Sequence, residues 1–196
     1  MMNRNIEHYA KKYKFLDKEI CEQTLKELKE IENSNNAYEG FMQHNFYDPR
    51  TGKYSTRSGN QELDVTFVNT STKKIIMEKL WHQLHTYLGD VDFKWFNSWS
   101  GYSDIRWNKY SETRKMALHC DHIKSLFDGD KKGIPTLSCL GVLTDDYEGG
   151  EFVMWDNTVI PFEQGDLLIF PSIFLYPHKV EPVTKGTRYS YISWVW

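Results

Sequence analysis

Cysteine is scarce in this sequence. Only Cys21, Cys120 and Cys139 occur among 196 residues, scattered and without a CxxC pair, which argues against a disulfide scaffold or a zinc ribbon and suits a reducing compartment. Long apolar runs are missing as well. The opening stretch MMNRNIEHYAKKYKF has no signal-like core, and no segment reaches the roughly 20 residues needed to cross a bilayer. The expectation is a soluble, cytoplasmic protein with no membrane partner. A basic surplus is also lacking: 24 Lys and Arg against 27 Asp and Glu leave a net charge of −3, unlike a general nucleic-acid binder. There are no internal repeats or low-complexity tracts, and nothing in the sequence indicates an oligomeric state.

Aromatic side chains are plentiful, at 15% of the chain with 7 Trp. They serve sheet faces and binding grooves equally well. The length suits one domain over 1–196, with a helical part over about 1–90 and a strand-rich core over about 91–196. Asp17 stands as the N-cap of a helix with Cys21, Thr24, Leu25, Leu28 and Ile31 on its apolar side, and Leu16 is placed to staple onto Cys21. A second helix, in STKKIIMEKLWHQLHTYLG, aligns Ile76, Leu80, Leu84 and Leu88, with Gly89 as its C-terminal cap. Residues 45–63 between them are polar and turn-rich, and read as a lid or a plain loop. From Val91 the pattern turns to short strands: DFKWFNSW, DIRWNKY, KMALHCD, TLSCLGVL, GEFVMW, DLLIFP, HKV and RYSYISWVW. Turn chemistry at Glu148-Gly149-Gly150 and Gln164-Gly165-Asp166 separates several of them. Helices followed by about eight strands indicate an α+β chain built on a double-sheet barrel or jelly roll.

The stretch MALHCDHI sets His119 and Asp121 two positions apart on a strand. Side chains alternate faces along a strand, so these two project together while Leu118 and Cys120 project oppositely. Such a pair can fill two adjacent corners of a metal's coordination sphere, or it is simply a hydrogen-bonded pair at a sheet edge. His178 in LYPHKVEPV supplies a third ligand after enough chain for several strands to return. Two histidines and a carboxylate form the facial triad of non-haem Fe(II) oxygenases, and zinc uses the same donors. Arg188 follows in TRYSYISWVW, either as a solvated strand end or as a fork that receives a carboxylate bidentately. Ser190 shares its face. His82 and His85 lie one turn apart on a helix without an evident carboxylate and read as solvent-facing. His122 reads as structural and Lys131-Lys132 as a loop pair. Arg106 and Asn108 share the parity of Tyr110 and are second-tier pocket candidates; Trp194 and Trp196 share that of Arg188 and either line the substrate entrance or pack in the core.

The order His-x-Asp, distant His, then Arg ten residues on resembles the Fe(II)/2-oxoglutarate dioxygenases, and most closely their prolyl 4-hydroxylase-like branch. HCD, LTDDYEGGEFVMW, VIPFEQGDLLIFPS and PHKVEPVTKGTRYSYISWVW carry the resemblance, with FLDKEICEQTLKEL adding a fainter match. It implies a double-stranded β-helix (jelly roll) with N-terminal helices packed on one sheet. It implies Fe(II) held by His119, Asp121 and His178, with Arg188 on the distal carboxylate of 2-oxoglutarate, Tyr110 near the cosubstrate and Ser190 adding a hydroxyl. O2 is the second cosubstrate and ascorbate an accessory reductant. The implied reaction hydroxylates an unactivated C–H, foremost a prolyl residue of a peptide or protein, with release of succinate and CO2. A free amino acid or other small molecule is the alternative substrate. Val142 stands where some relatives have a second cosubstrate tyrosine. Trp194 stands where relatives that repair nucleobases have a second arginine, which lowers the case for nucleic acid. Two other readings compete: a jelly-roll module that binds metal without turnover, and a zinc hydrolase, for which Arg188 has no evident use.

Overall fold

The computed structural model describes residues 5–34, 40–48, 53–55, 62–92, 101–121 and 135–196. After a turn of 3-10 helix at Ile6–Tyr9 the elements run β1 (Lys11–Lys14), α1 (Lys18–Asn33), β2 (Met42–Gln43), β3 (Phe46–Asp48), β4 (Lys53–Ser55), β5 (Asp64–Thr66) and α2 (Lys73–Val91). The second half holds β6 (Arg106–Tyr110), β7 (Met116–His119), β8 (Leu137–Val142), β9 (Glu148–Gly149), β10 (Phe152–Met154), β11 (Thr158–Ile160), β12 (Asp166–Pro171), β13 (His178–Val180), β14 (Val183–Lys185) and β15 (Arg188–Val195). A seven-stranded sheet in the order β1-β12-β8-β15-β6-β5-β2 faces a four-stranded sheet in the order β11-β10-β13-β7. The ladders are antiparallel, as expected of a jelly roll.

Alternation along the strands divides the core in two. Ile105, Trp107, Leu137, Cys139, Leu167, Ile169, Tyr189, Tyr191 and Val195 point outward from the large sheet. They pack under Leu25 and Leu28 of α1 and Ile76, Leu80, Leu84, Tyr87 and Val91 of α2. Each of the large side chains buried there contributes about 1.5–3 kcal/mol relative to exposure. The opposite face turns Tyr110, Leu140, Leu168 and Phe170 toward Phe152, Met154, Val180 and Tyr176 between the sheets. The two helices are joined by a buried hydroxyl contact, Thr24 Oγ1 to Thr72 Oγ1 at 2.6 Å. Gly165 has φ +84°, and a Cβ there would lie 2.2 Å from the Leu16 carbonyl oxygen. Its own carbonyl accepts the N–H groups of Phe15 and Leu16, so the glycine docks the chain that leads from β1 into α1.

The N-terminal part is less purely helical than its sequence suggests. β1, β2 and β5 all join the large sheet, because their backbones complete its edges where short polar stretches show little alternation. Asp17 occupies the N-cap position without a side-chain capping bond; its carboxylate lies 3.7 Å from Lys79 Nζ on α2. α2 runs past Gly89 to Val91 and is closed by Asp92 in the left-handed region at φ 53°. Its buried stripe drifts from Leu84 to Tyr87 and Val91 rather than to Leu88, as a 3.6-residue repeat requires. Within 45–63, β3 pairs with β4 and Leu63 is buried between the sheets, so the segment is not loop throughout. Most of the expected lid, the expected strand over 92–99 beyond Asp92, His122 and Lys131-Lys132 lie outside the described residues. Among the described residues no helix is long and apolar enough to cross a membrane.

Candidate functional site

His119 ends β7 and His178 begins β13, and the two face each other directly across the antiparallel ladder. Their rings are 4.4 Å apart between centroids. Asp121 follows β7, is buried, and its Oδ1 lies 3.4 Å from His119 Nε2 and 3.6 Å from His178 Nε2. Local chain direction decides which nitrogen each ring presents. His119 Nδ1 is 2.8 Å from the Ala117 carbonyl and His178 Nδ1 is 3.0 Å from the Tyr176 carbonyl. A carbonyl only accepts, so each Nδ1 carries the proton and each Nε2 offers its lone pair inward. Two lone pairs and a carboxylate oxygen thus converge, within 4.8 Å of one another. Mutual repulsion among three such donors is relieved by a cation between them. Backbone orientation of ligating imidazoles through their second nitrogen is the arrangement that metal sites use.

The electrostatics agree. Burial pushes the Asp121 carboxyl up, but His178, His119 and the Ser138 hydroxyl outweigh it and hold the group well below the usual carboxylate range. Burial pushes His178 down to about 4. Burial also acts to lower His119, yet its hydrogen bond to Asp121 and the carboxylate's charge raise it on balance. Ser138 Oγ donates to Asp121 Oδ2 at 2.6 Å and lies 2.7 Å from Ser172 Oγ. It thereby ties the carboxylate to β8 and leaves Oδ1 facing the histidines. Neither serine stands out in sequence; the only trace is the inward parity of Ser138 with Leu140 in TLSCLGVL.

Arg188 lies on the adjoining floor of the barrel, fully buried. Its guanidinium sits 5.1 Å over the Tyr110 ring, the residue opposite it in the β15–β6 register. Nη1 donates to Ser190 Oγ at 2.9 Å, while Nε and Nη2 are buried without a hydrogen-bond partner among the described residues. Ser190 therefore engages the arginine. The Glu148-Gly149-Gly150 turn supplies the space: Gly150, at φ +65°, would place a Cβ 2.9 Å from Val183 and 3.4 Å from the Arg188 stem. A small cavity lies beside the triad, lined by Arg106, Asn108, Tyr110, Leu140, Phe152, Phe170 and Ile192 together with His119, Asp121 and His178. Arg106 and Asn108 are thus pocket residues. Trp194 is half-buried with its ring under Arg106. His82 and His85 are exposed on α2, and Cys120 turns away toward the Phe174 carbonyl.

Among the described residues, three donors that could hold a metal ion thus stand near a buried guanidinium with N–H groups that lack an acceptor. Residues 105–196 match the family model of the 2OG-Fe(II) oxygenase superfamily. A PKHD-type hydroxylase of Aliarcobacter butzleri (strain RM4018) is 40% identical over 95 residues, covering 45% of this chain and 41% of that protein. The matched stretch thus spans about two fifths of the length of the curated relatives. A viral collagen prolyl hydroxylase from Paramecium Bursaria Chlorella virus-1, solved with 2OG, superposes with TM-score 0.62 at 14% identity over 95% of this chain and 94% of that one. A Trichoplax adhaerens prolyl hydroxylase bound to a hypoxia inducible factor peptide fragment gives TM-score 0.68 at 15% identity, over 96% and 84%. The resemblance read in the sequence stands: the C-terminal half is 2OG-Fe(II) oxygenase-like in sequence, and the fold is that of the prolyl hydroxylases.

Proposed function

We propose that this chain is one catalytic domain, an Fe(II)- and 2-oxoglutarate-dependent dioxygenase that hydroxylates a prolyl residue of a peptide or protein. The observation that carries this reading is the pairing of the converging Nε2, Oδ1 and Nε2 donors with an unpaired, buried Arg188. The donor set fits a divalent iron: two neutral imidazoles and one carboxylate bind it while leaving coordination positions free. When bound, iron with 2-oxoglutarate and O2 supplies the oxidising chemistry, in which the 2-oxo acid becomes succinate and CO2 and one oxygen atom enters the substrate C–H.

The chain's own side chains do the positioning. His119, Asp121 and His178 hold the metal, and Ser138 keeps Asp121 from turning. Arg188 receives the distal carboxylate of 2-oxoglutarate through the N–H groups that otherwise lack acceptors, and Tyr110 backs the guanidinium. Charge-assisted bonds in a dry setting are strong and directional, so one end of the cosubstrate is fixed while the other meets the metal. Leu140, Phe152, Phe170 and Ile192 exclude water from the reacting centre. The peptide-bound Trichoplax prolyl hydroxylase supports a prolyl peptide substrate, and the PKHD-type relatives support a hydroxylase. A zinc hydrolase gives the unpaired Arg188 no task.

The test is anaerobic visible spectroscopy with Fe(II) and 2-oxoglutarate on wild type and His119→Ala. A weak charge-transfer band in wild type alone, followed by succinate release in air with a prolyl peptide, is the expected result. An absent band together with absent iron by metal analysis sinks the reading.

A further inference from the structure

The catalytic reading accounts for one of the two arginines on the inner face of the large sheet. It leaves Arg106 without a task. Arg106 begins β6, lines the cavity beside His119 and Asp121, and is half-buried, so it meets both the cavity and solvent. Its position is fixed from two sides. Nε donates to Asn108 Oδ1 at 3.0 Å, and Asn108 is itself buried; the guanidinium lies 5.0 Å over the Trp194 ring. Among the described residues Arg106 forms no salt bridge, although it is near enough to Asp121 and Tyr110 to feel both. The Trp194 indole N–H beside it is buried and also lacks an acceptor.

The register separates the two arginines. Arg188 pairs with Tyr110 and Ile192 with Arg106, so they stand four residues apart along paired strands, about 13 Å. Asp121 is tied to Ser138, which pairs with Trp194, so the metal ligands lie toward the Arg106 end. A cosubstrate stretched from Arg188 to the metal leaves Arg106 on the far side. With a dication bound, the metal and both guanidiniums outweigh Asp121 and the two carboxylates of 2-oxoglutarate by one positive charge. A guanidinium braced on an aromatic ring, with no salt bridge among the described residues and only its Nε hydrogen-bonded there, can receive a carboxylate.

We infer that Arg106 recognises a carboxylate on the primary substrate and so selects substrates with an anion next to the hydroxylated carbon. This rests on the oxygenase reading and deepens it. The carboxylate has two possible sources: the α-carboxylate of a free amino acid, or an acidic side chain beside the target residue of a peptide.

The experiment uses the Fe(II)- and 2-oxoglutarate-loaded protein under argon, with binding read by calorimetry. One arm compares free amino acids with their carboxamides. The other compares proline-containing peptides carrying Asp or Glu with their Asn or Gln counterparts. In wild type at least one acid binds about ten- to hundredfold tighter than its neutral partner, the range for a charged hydrogen-bonded pair; the arm that shows it identifies the source. Arg106→Gln abolishes the preference and Arg106→Lys retains part of it. An absence of preference in both arms overturns the inference, as does a preference that survives in Arg106→Gln. A loss in Arg106→Gln that falls on 2-oxoglutarate alone overturns it too. Failure of the parent reading is separate: the 2-oxoglutarate charge-transfer band would then be missing from wild type before any probe is added.

Discussion

The two faces of the large sheet share the same strands and have opposite chemistry. Toward the helices β15 turns Tyr189, Tyr191 and Val195, β8 turns Leu137 and Cys139, and β6 turns Trp107. Toward the barrel the same strands turn Arg188, Ser190, Ser138, Asn108 and Arg106. The outer face is held by area removed from water and gains from being dry. The inner face buries polar groups whose satisfaction is incomplete, and an unpaired buried charge costs several kcal/mol. Asp166 gives the contrast within the inner parity itself. It is buried like Arg188, yet Lys12 and Lys14 lie 3.2 and 2.9 Å from its carboxylate oxygens and Glu163 N–H donates to it.

Substitutions on the two faces should therefore separate stability from function. Leu84→Ala, on the helix side, should cost about 2–5 kcal/mol in urea denaturation while the folded fraction binds iron with wild-type stoichiometry; a loss of iron in that fraction would break the distinction. Arg188→Met should work in the reverse sense, raising the apparent KM for 2-oxoglutarate by at least about a hundredfold, the lower end for two lost charged hydrogen bonds. It should also raise the melting temperature, because a buried charge without an anion is removed. An unchanged KM would discard the carboxylate clamp. Ser138→Ala should weaken metal binding about tenfold, the lower end for groups that orient a ligand, as read by competition with a chelator. Unaltered affinity would mean that Asp121 is held by the histidines alone.

The smallest effect concerns acid stability. Burial acts to raise Asp166, but the Glu163 N–H bond, Lys14 and Lys12 outweigh it and lower its pKa. A carboxyl whose folded pKa is depressed stabilises the protein above its unfolded value of about 3.9 and loses that contribution as pH falls through the folded one. Asp166→Asn should therefore lower the unfolding free energy at pH 7 and narrow the difference between pH 7 and pH 3. A difference of wild-type size would show that the lysine pairs contribute nothing measurable.

Much of the centre was legible before any coordinates. His119 and Asp121 could be placed on one face because a strand alternates strictly, and Arg188 stood out as a charge opening an apolar strand. The helical stripes were readable as far as Leu28 and Leu84. What escaped notice was whatever depended on a partner from far along the chain. Lys11–Lys14 has the look of a polar leader, and only pairing with Asp166–Ile169 makes it a strand. Asp17 makes no side-chain capping bond, and its carboxylate lies instead near Lys79 of the other helix. Ser138 is an ordinary serine until Asp121 arrives beside it.

Sequence alone determined the candidate donors and their order, since these follow from side-chain chemistry; the two-residue repeat of extended chain reaches His119, while Asp121 stands just past the end of β7. The tertiary structure decided which nitrogen each histidine turns inward, that Arg188 is buried with N–H groups lacking an acceptor among the described residues, and that Arg106 stands braced on Trp194. Those are consequences of strands meeting across the barrel, where the Ala117 and Tyr176 carbonyls, the β15–β6 register and the approach of two sheets act on groups that no local spacing brings together.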